Sequence, residues 1–150
     1  LRIYDVEART DTPITVTVPD DGLWKRPHRV SVAGRISDFG LSPKGERALF
    51  VARGEVFTAP IEKGRTRNLT RSSGANDRIA SWSPNGAHVA VISDASGEDE
   101  IWILDPTGTE PPRLLRDGLP GVTGLAPLPD GSLVVSLTWE QRLARVTVER

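Results

Sequence analysis

A hydrolytic serine needs a histidine to take its proton and a carboxylate to orient that histidine. The chain offers two histidines, His28 and His88. His28 lies between Pro27 and Arg29 in a stretch without periodicity, and His88 stands one residue ahead of the apolar run Val89-Ala90-Val91-Ile92. Both positions predict surface histidines. No Gly-x-Ser-x-Gly elbow occurs. Ser42 and Ser83 each precede a proline, which predicts serines that cap turns and not nucleophiles. No catalytic residue is expected in this chain.

The oxygen ligands of a calcium site could come from Asp94, Ser96, Glu98, Asp99 and Glu100. They lack the alternating Asp spacing with a distal Glu, so the stretch is expected to be a solvated hairpin tip. With no cysteine, disulfides, zinc–thiolate sites and thiol nucleophiles are excluded. The expectation is therefore no metal and no cofactor. Trp24 stands beside Lys25, Arg26 and Arg29, which makes Trp24, Lys25 and Arg26 candidate interface residues. The other reading of Trp24 is a side chain pinning a linker. These cations are too few for a nucleic-acid footprint. Lys63, Arg65, Arg67 and Arg71 read as a solvated strand edge, where charge discourages edge pairing.

The elements that carry these residues recur. Ser42-Pro43-Lys44-Gly45 is followed by Ala48-Leu49-Phe50-Val51, and Ser83-Pro84-Asn85-Gly86 by Val89-Ala90-Val91-Ile92 at the same offset. A third copy is Leu128-Pro129-Asp130-Gly131, then Val134-Val135. The prolines are 41 and then 45 residues apart. A period near 40–45 with one tight turn per unit predicts propeller blades of four antiparallel strands. The fold class is all-β.

In the first unit the strands are expected at Ile36 to Leu41, Ala48 to Ala52, Glu55 to Ala59 and Arg67 to Thr70. Arg53-Gly54 forms a short hairpin between the second and third. Their equivalents are Ile79 to Trp82, Val89 to Ser93, Glu100 to Leu104 and Arg113 to Leu115, with a longer hairpin over Asp94 to Asp99. The third unit supplies Val122 to Leu125, Leu133 to Leu137 and about Leu143 to Val148. Ahead of these, Leu1 to Val6 and Ile14 to Val18 read as strands joined by a turn over Glu7 to Pro13. Ile3 to Val16, Val56 to Leu69 and Ile101 to Leu114 each span 13 residues, so the opening segment reads as half of an earlier blade.

The expected organisation is therefore residues 1–18 as the last half-blade of a preceding propeller, 19–35 as a linker, and 36–150 as blades. Those blades run over 36–70, 79–115 and 122–150. About three and a half blades cannot close a propeller, so the chain reads as an incomplete propeller and part of something longer. Equivalent positions pair Leu41 with Trp82 and Phe57 with Trp102, which predicts packing between neighbouring blades. First strands line a propeller's axis, which makes Ser37, Asp38, Arg78 and Ser81 candidate channel-lining residues. A net charge of −1 and the absence of a long apolar run point to neither nucleic acid nor membrane as partner.

The runs Ile36-Ser-Asp-Phe-Gly-Leu-Ser-Pro-Lys-Gly-Glu-Arg, Val51-Ala-Arg-Gly-Glu-Val-Phe-Thr-Ala-Pro, Arg67-Asn-Leu-Thr-Arg and Ser81-Trp-Ser-Pro-Asn-Gly carry a resemblance. They resemble the propeller region of tricorn-type proteases, at the junction of the six- and seven-bladed propellers. The match runs from about Leu1 to Gly108, and its Trp-Ser-Pro-x-Gly element is shared with TolB-like propellers and other WD-like repeats. The resemblance implies a non-catalytic segment of a cytoplasmic serine peptidase that channels peptide substrate or product. Its partners would be the remaining blades and catalytic domains of the same chain, and peptides, in a homo-oligomeric parent. No position matches the family's catalytic motifs. Two alternatives stay open: a TolB-like protein-interaction propeller of the cell envelope, hence periplasmic, and the gating propeller of a prolyl-oligopeptidase-type hydrolase.

Overall fold

The structure, a computed structural model, describes residues 2–17, 22, 29–119 and 121–148. Backbone proximity divides the chain into two units, residues 1–31 and 32–150. In the first unit, β1 (Arg2–Asp5) pairs antiparallel with β2 (Thr10–Pro13), placing Ile3 opposite Thr12. This corrects the strand expected at Ile14 to Val18 and the turn expected over Glu7 to Pro13. The turn is residues 6–9, where Asp5 Oδ1 accepts from the N–H groups of Glu7 and Ala8 at 3.0 and 2.9 Å. Pairing ends at Pro13, which has no N–H to extend the ladder. The described part of the β-branched run that follows, residues 14–17, pairs with no strand among the described residues, so its propensity is not expressed there. Ile3 and Val16 are therefore not a paired step, although their spacing equals one.

The second unit holds three antiparallel sheets in chain order. The first is β3 (Ile36–Leu41), β4 (Arg47–Ala52), β5 (Glu55–Pro60) and β6 (Arg67–Asn68). The second is β7 (Arg78–Trp82), β8 (Val89–Ser93), β9 (Glu100–Leu104) and β10 (Arg113–Arg116). The third is β11 (Val122–Pro127), β12 (Leu133–Leu137) and β13 (Arg142–Val146). Every strand expected from residue 36 onward is present, with ends moved by one or two residues.

The repeated turn is built the same way three times. Gly45, Gly86 and Gly131 each donate their N–H to the carbonyl three residues back, at 2.8–2.9 Å. Each has positive φ (69°, 72° and 86°), which a side chain would strain. Ser42 Oγ caps the N–H groups of Glu46 and Arg47 at 3.1 Å, and Ser83 Oγ caps that of His88 at 2.9 Å. The capping role expected of both serines is what the geometry shows, and His88 is exposed. β6 is shorter than expected because Thr70 Oγ1, and not a backbone carbonyl, takes the Val56 N–H at 3.1 Å.

Alternation along β8 explains how the sheets stack. Val89 and Val91 join Leu49, Val51, Val56, Leu69 and Trp82 in one core. Ala90 and Ile92 face the other way, into a core with Ile101, Ile103, Val122, Val135 and Leu137. Successive side chains of a strand point to opposite faces, so a strand apolar at every position belongs to a sheet covered on both sides. The middle sheet is that sheet. Of the expected packing residues, Trp82 is buried in the first core and Trp102 lies half-buried against it. Phe57 is half-buried. Leu41 departs from the expectation: no sheet among the described residues covers its face, and it stays exposed.

Candidate functional site

The first strands of the three sheets lie side by side, β3 next to β7 and β7 next to β11. Each has a register shift near its start, between Ile36 and Asp38, Arg78 and Ser81, and Val122 and Gly124. A bulge bends its strand and leaves a backbone group without a ladder partner. In β7 the bulge includes Ile79 at φ 51°, and the Ala80 N–H turns to Asp38 Oδ2 of β3 at 3.2 Å. Asp38 Oδ1 accepts the N–H of Phe39 at 2.9 Å. The carboxylate thus links one first strand to the next.

A groove of about 440 Å³ runs along these strands, and Asp38, Gly40, Ala80, Ser81 and Leu125 are among its walls. Asp38 and Ser81, two of the four expected channel-lining residues, therefore meet at one surface. Ser37 and Arg78 do not line it. Ser37 is exposed with its Oγ 3.4 Å from the Val51 carbonyl, and Arg78 Nη2 pairs with Asp99 Oδ1 at 2.5 Å. Trp24, Lys25 and Arg26, the expected interface residues, and His28 lie outside the described residues.

The acidic hairpin is less solvated than expected. Ser96 and Glu98 are exposed, but Asp94 Oδ1 accepts the Asn76 N–H at 2.6 Å, Asp99 holds Arg78, and buried Glu100 accepts from Trp102 Nε1 at 3.0 Å. Its carboxylates anchor the strand junctions around them. Among the described residues no group of three His, Cys, Asp or Glu side chains converges to hold a metal. Arg67, read as part of a solvated edge, instead donates from Nη1 to the Thr107 carbonyl of the neighbouring sheet.

Asp105 was not singled out by its sequence context. Burial would raise its pKa, but hydrogen bonds outweigh that and hold it well below the usual carboxylate range. The donors are the hydroxyls of Thr107 and Thr109 and the backbone N–H groups of Thr107 and Glu110. The turn it organises carries the Pro106 and Thr107 carbonyls that receive Thr58 Oγ1 (at 3.4 Å) and Arg67 from the first sheet. An Asp-x-Thr-x-Thr spacing at a strand end is the signal that could have marked it.

Four-stranded antiparallel sheets stacked face to face, with first strands together and outer strands apart, are blades of a β-propeller. A TolB-type protein of Agrobacterium tumefaciens is a structural neighbour, with a TM-score of 0.57 at 23% identity. The match covers 64% of this chain and 36% of that protein, so this chain spans little more than a third of its length. At such identity the likeness establishes the fold. No protein-family profile matches the chain, and no curated protein matches it.

Proposed function

We propose that this chain is a non-catalytic propeller segment whose work is to bind polypeptide at the groove along its first strands. The observation that supports this reading most directly is the juxtaposition of three bulged first strands with a shared groove. Bulges are common where a strand must re-aim its side chains or meet a ligand. Exposed Phe39 and Leu41 beside Asp38 give the groove apolar wall and a fixed charge together. The TolB-type neighbour supports the propeller fold of such a module, and a place in the cell envelope is part of this reading.

A second reading makes the segment part of a tricorn-like serine peptidase in the cytoplasm, channelling peptides to catalytic domains elsewhere in its polypeptide. One feature favours it. The step from the end of β2 at Pro13 to the start of β3 at Ile36 is 23 residues, against 10 from Asn68 to Arg78 and 6 from Arg116 to Val122, as a junction between two propellers would require. On this reading 1–18 would close one propeller, 19–35 would be the linker, and 36–150 would open the next.

The intact mass of the native polypeptide, with labelling by a fluorophosphonate serine probe, separates the two. An unlabelled chain near the size of one propeller is the expected outcome for an interaction module. A labelled chain above about 100 kDa, room for two propellers and hydrolase domains at typical domain sizes, would overturn it in favour of the peptidase reading.

A further inference from the structure

Among the described residues, the groove along the first strands has a single ionisable wall. Phe39, Leu41 and Leu125 give it apolar surface and Ser81 a hydroxyl, and Asp38 is the one acid or base in its lining. The carboxylate is half-buried, so it is neither sealed in the core nor fully solvated.

A carboxylate offers about four lone-pair sites, and the backbone occupies two of those on Asp38. Oδ1 accepts the Phe39 N–H at 2.9 Å, and Oδ2 accepts the Ala80 N–H at 3.2 Å. Both donors are neutral, so neither cancels the charge. Asp38 takes part in no ion pair among the described residues. Arg78 opens β7, the strand that Asp38 reaches, yet its guanidinium is held by Asp99. Each Asp38 oxygen therefore keeps acceptor capacity, and the charge keeps no counter-ion.

The repeat separates a stacking role from a binding role. Asp38 stands five residues ahead of Pro43, and the same offset from Pro84 and Pro129 gives Ile79 and Gly124. β7 and β11 thus lie side by side with no carboxylate at the equivalent position. A neutral acceptor would suffice to join two first strands, and the second junction does without a side-chain acceptor there. The charge belongs to the first strand alone.

We propose that the groove selects polypeptide carrying a basic side chain, lysine or arginine, whose cation pairs with Asp38. This inference rests on the reading that the groove binds polypeptide, and it names the class that binds. An ammonium or guanidinium donates to the remaining acceptor sites in a charge-assisted bond. The stem of such a side chain packs along apolar surface while its head keeps a polar contact. Phe39 and Leu41, 77% and 64% exposed, supply that surface within the same walls. An acidic side chain in the same place would meet like charge, which discriminates against it.

The test follows the Phe39 and Ala80 backbone amides, the two that bond Asp38, in nitrogen-15 correlation spectra of the 150-residue chain. The probes are acetyl-Ala-Leu-Arg-Leu-Ala-amide and its counterparts with Gln or Glu at the centre, capped so that only the central residue can carry charge. Both cross-peaks should shift saturably. Half-saturation is expected at a concentration about fivefold or more lower with the Arg peptide than with the Gln peptide, and the Glu peptide should bind weakest. Asp38→Asn should bring the Arg and Gln peptides level. Glu62→Gln, at an exposed carboxylate outside the groove lining, should leave the preference intact. Circular dichroism of each variant verifies that it is folded before its titration is read. The unaltered chain gives an independent measurement, because added salt should narrow the Arg-over-Gln ratio. Equal saturation by all three peptides overturns the charge selection while leaving the groove a peptide site, whereas no shift with any of them overturns both. An Arg preference that survives in Asp38→Asn, disappears in Glu62→Gln or is indifferent to salt also overturns the proposal.

Discussion

Leu41 and Trp82 occupy the same place in successive repeats, yet Leu41 is 64% exposed and Trp82 7%. The difference is not in their types. Trp82 faces the first blade, whose Leu49, Val51, Val56 and Leu69 close over it, while the same face of the first blade has no sheet against it among the described residues. Trp82→Ala should therefore cost about 3–5 kcal/mol, the usual penalty for truncating a buried aromatic side chain. Leu41→Ala should stay within about 0.5 kcal/mol, as for other exposed sites. Denaturant unfolding of the 150-residue chain measures both. A Leu41→Ala cost near that of Trp82→Ala would mean that another surface covers this face. Gly54 illustrates a different residue-scale constraint: its φ is 76°, and a Cβ there would stand 3.0 Å from the Ala75 carbonyl oxygen, so the Arg53-Gly54 hairpin admits little else.

At the scale of elements, the β9–β10 turn is organised by one carboxylate. Asp105 accepts from the N–H groups of Thr107 and Thr109 at 2.8 Å and from that of Glu110 at 3.1 Å. Its pKa is lowered in the folded chain, so protonation favours the unfolded state. The stability it contributes is present above the unfolded carboxylate pKa, about 3.9, and is lost as pH falls below that toward the folded value. Asp105→Asn should lower stability at neutral pH and flatten the acid limb of the stability–pH curve below about pH 4. Urea unfolding across a pH series checks this. An acid limb as steep as that of the parent would show that Asp105 is not among the linked groups. Because Pro106 and Thr107 sit in this turn, its loss should also loosen the junction with the first blade.

For the molecule as a whole, protection follows coverage. The middle blade is enclosed by two cores, whereas the first and third blades each have one face that neither core covers. β8 is buried at all five positions, but every residue of β1 and β2 is exposed. Local opening free energy tracks buried contact. Native-state hydrogen exchange should therefore be slowest in β8 and β9, faster in β3 and β13, and fastest in β1 and β2. A first hairpin exchanging as slowly as β8 would contradict the separation into two units. Stacked repeats couple mainly to their neighbours, so disrupting the third blade should speed exchange in the second more than in the first.

Local chemistry was enough to read the repeat. Pro and Gly at fixed offsets prescribe the three turns, and apolar runs of five or six between them prescribe strands, because both depend on residues adjacent in sequence. The two four-stranded sheets and the three-stranded third from residue 36 onward, the capping serines and the exposed His88 followed from that alone. The opening hairpin did not. β-propensity marked Ile14 to Val18, but pairing needs a partner, and Pro13 ends the ladder that Arg2 to Asp5 could offer. Equally hidden were the Asp38 bond to Ala80 across 42 residues and the burial of the Arg47 Nε and Trp82 Nε1 donors without a partner among the described residues. Those features depend on which backbone groups a bulge releases and which side chains two neighbouring blades bring together. Only stacking the blades in space decides that, because no local pattern encodes it.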